Sequence, residues 1–362
     1  MVLRKNSTRL NSILVAKEKA ISNRMACGGK MGITLTIIIP VFNTPKDLLE
    51  RCIRSIPFQD ERIEVIVVDD GSCEETAKHL RMLQCEDASF RLHTQTNAGQ
   101  NAARESGLKL SHGVYVLFLD SDDYLDSEAI LYIIDLLAQN HPDILAYGIQ
   151  YVDRAGRPIT GKRRCEERYI PIETKHYLIE TSALWGQIIS RSLFFDPSIE
   201  FCKTCRVGED LATLIPLLLK ADTIAATNLN AYYYVQHNNS ITHSQGEALS
   251  LDILLAFDFI LEHIENGETY TQEIEWLAIL HILYYGTFRV MGDQSAGIAA
   301  RRQLSNFMRQ HFPAWRQNPI FLMNVQRRGL PFWLVVTGQW RFYSLLKLLK
   351  SKLSKLKLFP VA

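Results

Sequence analysis

Between residues 35 and 147, runs that are apolar throughout alternate with segments whose apolar residues recur at helical spacing. The apolar runs fall at 35–41, 63–68, 114–119 and 144–147, with a short strand expected near 90–94. Strands covered on both faces show no inside–outside alternation, and the helices between them are the crossovers that parallel neighbours need. The pattern predicts an α/β domain with a mostly parallel central sheet flanked by helices. Those helices are expected over 44–56, 74–83, 99–110 and 127–139. The first has Thr44 as N-cap, Pro45 in the first turn and Asp47 completing a capping box.

After residue 147 the alternation stops. A hairpin near 153–156, a loop-rich stretch and a helix over 210–220 are expected, and from about residue 247 the patterning is helical, over 251–264, 274–285 and 299–312. The expected divisions are a basic arm at 1–31, an α/β domain at 32–245, a helical region at 246–326 and a basic amphipathic tail at 327–362. The arm is polar and unpatterned, and is expected to be disordered or the product of an upstream start.

A hydrophobic share of 47% against 22% charged residues excludes disordered and collagen-like classes. The net charge of +1 conceals an asymmetry. Residues 327–362 carry eight basic residues and no acid, and residues 1–31 seven basic residues against Glu18, which leaves −13 for residues 32–326. An acidic body is a poor match to a phosphate backbone, so no nucleic-acid partner is expected. Seven scattered cysteines without framework spacing suit a reducing, cytoplasmic setting. The Cys202-Lys203-Thr204-Cys205 pair lacks the second pair that a zinc site needs. No run reaches the roughly 18 to 20 apolar residues of a spanning helix.

In parallel sheets, ligands gather beyond the carboxyl ends of the strands. Two acidic clusters fall there: Asp120-Ser121-Asp122-Asp123 and Asp69-Asp70-Gly71-Ser72. Carboxylates crowded at a strand mouth repel one another unless a cation neutralises them, and oxygen ligands suit Mn²⁺ or Mg²⁺. The same residue types also suit a plain strand-to-helix turn.

Four ordered blocks resemble the signature of the family 2 inverting glycosyltransferases of bacterial surface-polysaccharide type. They are Thr36-Ile37-Ile38-Ile39-Pro40-Val41-Phe42-Asn43, Val67-Val68-Asp69-Asp70-Gly71-Ser72, Asn97-Ala98-Gly99-Gln100-Asn101-Ala102-Ala103-Arg104 and Phe118-Leu119-Asp120-Ser121-Asp122-Asp123. The resemblance continues through Trp185-Gly186-Gln187-Ile188, Val207-Gly208-Glu209-Asp210-Leu211 and residues 232–242. It implies the GT-A nucleotide-diphospho-sugar transferase fold, with a helical C-terminal region beyond the resemblance.

It also implies roles. Pro40, Val41, Asn43 and Asp70 would hold base and ribose, Arg104 would lie near base or diphosphate, and Asp120 with Ser121 would complete the donor site. Asp122 would ligate the cation, with Asp120 beside it and His237 as a further candidate ligand. Asp210, at a helix N-terminus that favours negative charge, would be the general base. Trp185 and Glu209 would lie on the acceptor side. Gln187 stands where the family commonly has Lys or Asn, and His237 lies in a stretch where a basic residue is frequent. The implied partners are a nucleotide-sugar donor, expected to be a UDP-sugar, and a glycan or lipid-linked acceptor. No Gly-x-Gly-x-x-Gly follows the first strand and no phosphate loop is present, which argues against dinucleotide and P-loop chemistry. A non-catalytic nucleotide-sugar or glycan-binding protein on the same fold is the competing reading; it has no need to keep both Asp122 and Asp210.

In the tail, Leu345, Leu346, Leu349, Leu353 and Leu356 share one helical face, with Lys347, Lys350, Lys355 and Lys357 mainly opposite. Trp333, Trp340, Phe342 and Tyr343 precede them. Residues 340–358 therefore read as an interfacial helix drawn to anionic headgroups, on the inner face of the plasma membrane. The alternative is a terminal helix packed on the body with a solvated lysine face.

Overall fold

The computed structural model describes residues 32–86, 89–159, 169–236, 247–264, 267–290 and 296–356; the arm at 1–31 lies outside them. Among the described residues, nine strands form one sheet. Its first half is parallel: β1 (Leu35–Val41) lies between β2 (Ile63–Asp69) and β4 (Tyr115–Phe118), and β3 (Arg91–Thr94) flanks β2. The crossovers are helices α1 (Lys46–Arg54), α2 (Glu74–Glu86) and α3 (Gln100–Leu110), followed by α4 (Ser127–Asn140).

The second half of the sheet departs from the parallel pattern. The run at 144–147 continues to Asp153 as β6 (Ile144–Asp153), and β8 (Gln187–Ser190) inserts between β4 and β6, antiparallel to both. Strand β9 (Ile224–Gln236) runs parallel to β6, while β5 (Tyr124–Leu125) and β7 (Tyr169–Ile172) pair antiparallel to β9. The expected hairpin is present: Asp153 N–H donates to Arg157 O at 2.9 Å, with Gly156 at φ 82°.

Alternation along β1 divides the core. Leu35, Ile37, Ile39 and Val41 join Leu49, Cys52 and Ile53 of α1 and Ile133 and Leu137 of α4 on one face, whereas Ile38 joins Phe118 on the other. The second face is closed by α5 (Glu209–Lys220) and by C-terminal helices, so sheet and helical region share one continuous core. Helix α6 (Glu247–His263) packs on α5. Helix α7 (Thr271–Ala278) continues through a π-helical stretch, Ile279–Tyr285, into Gly286–Arg289, and α8 (Ala296–His311) follows. Helix α9 (Pro319–Val336) is broken at Gly329, φ 76°, just before Pro331. Helix α10 (Trp340–Leu356) leaves Phe342, Leu345, Leu348 and Leu349 exposed, from 48% to 61%. No helix among the described residues is long and apolar enough to cross a membrane.

One expected cap is corrected. The N-cap of α1 is Pro45 and has no side-chain cap bond. The Thr44 hydroxyl instead meets Ser121 Oγ at 2.6 Å, and Asp47 pairs with Arg154 at 2.7 Å. A buried hydroxyl needs its partner more than an exposed helix end, which water can satisfy.

Candidate active site

The carboxyl ends of β1, β2 and β4 converge, and their turns are built from one another's polar atoms. Asn43, at φ 52°, accepts Cys73 N–H at 2.8 Å and donates its own N–H to Ser72 Oγ at 3.1 Å. Pro40 and Val41 are buried strand residues, so of the expected donor turn only Phe42 and Asn43 offer exposed side chains. Gly71 adopts φ 72°, where an added Cβ would lie 2.8 Å from Asn97 N. That close approach brings the 95–99 loop onto Asp70, whose carboxylate accepts Gln95 Nε2 at 2.7 Å and the Ala98 and Gly99 N–H groups at 2.9 Å each. Asp70 thus anchors this loop beside the strand end.

The turn after β4 distributes its acids among distinct tasks. Asp123, 1% exposed, accepts Tyr232 Oη and Val235 N–H, each at 2.7 Å, which pins the turn to β9. Burial, then the neighbouring Asp122 and Asp120 charges, push its carboxyl well above the usual range. Asp120 Oδ1 accepts Gln100 Nε2 at 2.7 Å and Arg104 Nη2 at 2.9 Å, and Asp120 N–H donates to Tyr232 Oη at 3.2 Å. Burial outweighs the Arg104 charge and holds the Asp120 carboxyl at about 6. Asp122 lies half-exposed between two buried neighbours.

Arg104 is the centre of the site. The resemblance puts it against the donor; the structure buries it completely, with Asp120 on one side, Asp210 on the other, Asn101 Oδ1 at 3.0 Å and the Phe118 ring beneath. Its Nη1 and Nη2 hold the two carboxylates in place, while its buried Nε has no hydrogen-bond partner among the described residues. Asn101 extends the network by donating to Cys202 O at 2.8 Å and Thr213 Oγ1 at 3.1 Å. Cys202 and Cys205 are free thiols with sulfurs 3.1 Å apart.

Asp210 stands in the first turn of α5, its Oδ1 on Arg104 and its Oδ2 accepting Leu184 N–H at 3.2 Å. Gly208 turns the chain into this helix at φ 86°, and a Cβ there would meet Ile253 Cδ1 of α6 at 2.6 Å. The C-terminal helices therefore set where the base candidate sits. Trp185 follows Leu184 directly and stacks on Tyr232 and Tyr234, with centroids 4.9 and 5.2 Å apart. Gln187, fully buried, is spent on Ala183 O, Leu184 O and the Tyr177 hydroxyl, so it shapes this loop. His237 lies outside the described residues. Gln100, Asn101 and Tyr232 were not singled out from sequence, although the first two lie inside the Asn97–Arg104 block.

Burial, then the Asp210 charge, raise the Glu209 carboxyl to about 8. It is mostly protonated at neutral pH and so is no base there. Because its folded value lies above the ordinary 4.5, the folded state keeps a proton that the unfolded chain releases, and stability falls as pH rises from about 4.5 to 8. Glu209→Gln is expected to flatten that part of the profile, read by urea unfolding between about pH 5 and 9. An unchanged slope would move the titration to another group.

Among the described residues, no three His, Cys, Asp or Glu side chains are grouped to hold a metal. A Mg²⁺-type ion needs no such cage, since one or two carboxylates complete its shell together with substrate phosphates and water. Asp122 suits that single-carboxylate arrangement. Asp120 suits it less, because a guanidinium already occupies its Oδ1.

Residues 36–200 match the family model described as glycosyl transferase family 2. The chain is 28% identical over 220 residues to the uncharacterized glycosyltransferase EpsJ of Bacillus subtilis, covering 58% of this chain and 62% of EpsJ. It is 25% identical over 309 residues to the poly(ribitol-phosphate) beta-N-acetylglucosaminyltransferase TarS of Staphylococcus aureus, covering 84% of this chain and 48% of TarS. The chain thus spans less than two thirds of the length of either relative. The crystal structure of TarS 1–349 with UDP-GlcNAc superposes with a TM-score of 0.63 at 21% identity, covering 77% of this chain and 81% of that one. With four signature blocks at the strand ends of such a sheet, residues 36–200 are similar to glycosyl transferase family 2, and the chain has the GT-A fold.

Proposed function

We propose that this chain moves a sugar from a nucleotide-diphosphate sugar, a UDP-sugar, to a hydroxyl of a glycan or lipid-linked acceptor, by direct displacement with inversion. The observation that carries the reading is the buried Arg104, which ties the donor-side Asp120 and the base candidate Asp210 into one network. TarS, which by its name acts on poly(ribitol phosphate) and whose structure holds UDP-GlcNAc, supports a UDP-sugar donor and a bacterial surface-polysaccharide acceptor.

In this reading the end of β1 at Pro40, Val41 and Asn43, together with Asp70, frames the nucleotide. Asp120 and Ser121 frame the donor ribose and sugar. Asp210 takes the acceptor proton as that oxygen attacks the anomeric carbon opposite the diphosphate, so one base suffices and no covalent intermediate forms. Asp122 would hold a Mn²⁺ or Mg²⁺, which would supply positive charge for the departing diphosphate. Trp185 and Glu209 flank the acceptor. The test is a panel of UDP-, GDP- and dTDP-sugars with Mn²⁺, scored by thermal protection and by slow donor hydrolysis. One donor class is expected to protect and hydrolyse, with Asp122→Ala losing the metal-dependent part. Protection by none removes the donor assignment; protection without turnover favours the non-catalytic binder.

We also propose that the protein works in the cytoplasm with residues 340–358 against the anionic inner face of the plasma membrane. The exposure of Phe342, Leu345, Leu348 and Leu349, in a stretch that has no acid, supports this over packing on the body. Each basic residue near an anionic surface contributes about 1 kcal/mol, and the apolar face adds its own burial. Leu345→Glu with Leu349→Glu is expected to cut flotation with anionic vesicles at least about tenfold, while neutral vesicles bind both forms weakly. Equal flotation of variant and parent would refute the anchor.

A further inference from the structure

The structure points to an acceptor track: we propose that Trp185, Tyr234 and Tyr151 form a sugar-binding path for a glycan of at least two units. This rests on the transferase reading above, because the path is assigned to the acceptor.

The three side chains come from separate elements. Tyr151 and Tyr234 are direct partners in the β6–β9 pairing, and Trp185 approaches from the loop before β8. The rings form a continuous series. Tyr232 stacks on Trp185 at 4.9 Å, Trp185 on Tyr234 at 5.2 Å, and Tyr234 meets Tyr151 at 5.4 Å. Exposure grows along the series: Tyr232 is fully buried, Trp185 and Tyr234 are half-buried, and Tyr151 is 39% exposed.

The inner end is anchored in the chemistry. The Tyr232 hydroxyl donates to Asp123 and accepts the Asp120 N–H, and the residue preceding Trp185 donates its N–H to Asp210. The path therefore starts beside the base and leads outward. Its place in the sheet separates it from the donor side. The nucleotide-framing residues stand on β1 and β2, whereas the path lies on β6 and β9, across β4 and β8 in strand order.

Such a surface selects its occupant. Aromatic faces cover the C–H faces of sugar rings, while phenol hydroxyls offer hydrogen bonds to sugar hydroxyls, so one side chain meets both halves of an amphipathic ring. A lipid tail has no use for a row of phenols. A single sugar held at the base would leave the outer tyrosines unused, so a multi-unit acceptor is the fit.

The test uses the full chain without donor. Oligomers of glucose, N-acetylglucosamine and galactose, one to six units long, are titrated and followed by ligand-observed saturation-transfer NMR. In at least one series the dissociation constant is expected to fall with length, and Tyr151→Ala or Tyr151→Leu to weaken the longest oligomer about 3- to 10-fold with the monomer unchanged, the scale of one aromatic contact. UDP-induced thermal protection is expected to stay the same in both variants. No length dependence in any series, equal loss for monomer and hexamer, or a loss confined to vesicle binding overturns the track. Absence of UDP protection in the parent instead removes the donor reading and leaves the glycan titration to stand alone.

Discussion

Asp210→Asn is expected to lower sugar transfer by about 10²- to 10⁴-fold, the contribution of a positioned general base, while nucleotide-sugar protection against unfolding is retained. The substitution keeps the shape of a side chain held on two sides, by Arg104 at Oδ1 and by Leu184 N–H at Oδ2. An amide can accept from one of these donors but faces the other with its own NH₂, so the 183–187 loop relaxes slightly without exposing the core. What disappears is the ability to take a proton. The neighbouring Glu209 does not replace it at neutral pH, because its carboxyl is held at about 8. The measurements are the transfer rate and donor hydrolysis with the same preparation, alongside the thermal shift given by the nucleotide sugar. Transfer at the parental rate would reassign the base, and loss of protection together with transfer would mean that Asp210 serves the donor instead.

The parallel half of the sheet was legible because strands buried on both faces are mostly apolar, and β1, β2 and β4 are so apart from Thr36, Glu64 and the closing Asp69. The acidic strand ends were legible for the complementary reason, since acids are conspicuous after such runs. The rest of the sheet was not. Strand β8 has four residues, too few to show a period, and β9 carries Thr227, Asn228 and Asn230 inside its span. Asn230 sits where β6 and β9 shift register around Gly148, and its side chain is satisfied by Gln150 at 3.3 Å. Pairing partners of that kind leave no local signature.

Site assignments divide along the same line. Asp123 as a support of its turn follows from a polar residue that must cap something, and Tyr232 with Val235 are what it holds. The duty of Asp70 within the protein was hidden, because its donors come from a loop about 25 residues on. The Thr44 hydroxyl illustrates the general rule: a local cap pattern lost to a buried partner 77 residues away.

Arg104→Met carries the largest stability effect expected here, about 3–5 kcal/mol, the cost of removing one member from a buried charge cluster. Arginine is almost never fully buried unless it is paired, and this one is shared between two carboxylates whose strand and helix are distant in sequence. Met fills the volume and deletes the cation, so Asp120 and Asp210 are left facing each other in a poorly solvated space. At about 2–4 °C per kcal/mol for a domain of this size, the melting temperature should drop by roughly 10 °C. Arg104→Lys should recover only part of the loss, because one ammonium cannot reproduce a planar fork between two acceptors. The pH dependence distinguishes lost charge from lost packing. Asp120 is held at about 6 even with the guanidinium present, and removing the guanidinium raises it further. The penalty of the ionised carboxylate is therefore present above the variant's raised value and disappears as acidification protonates it, so the gap between variant and parent should narrow as pH falls towards about 6 and stay level below it. A gap that is constant from about pH 5 to 8 would assign the loss to packing against Phe118, and a Met variant as stable as the parent would mean the cluster does not depend on its cation.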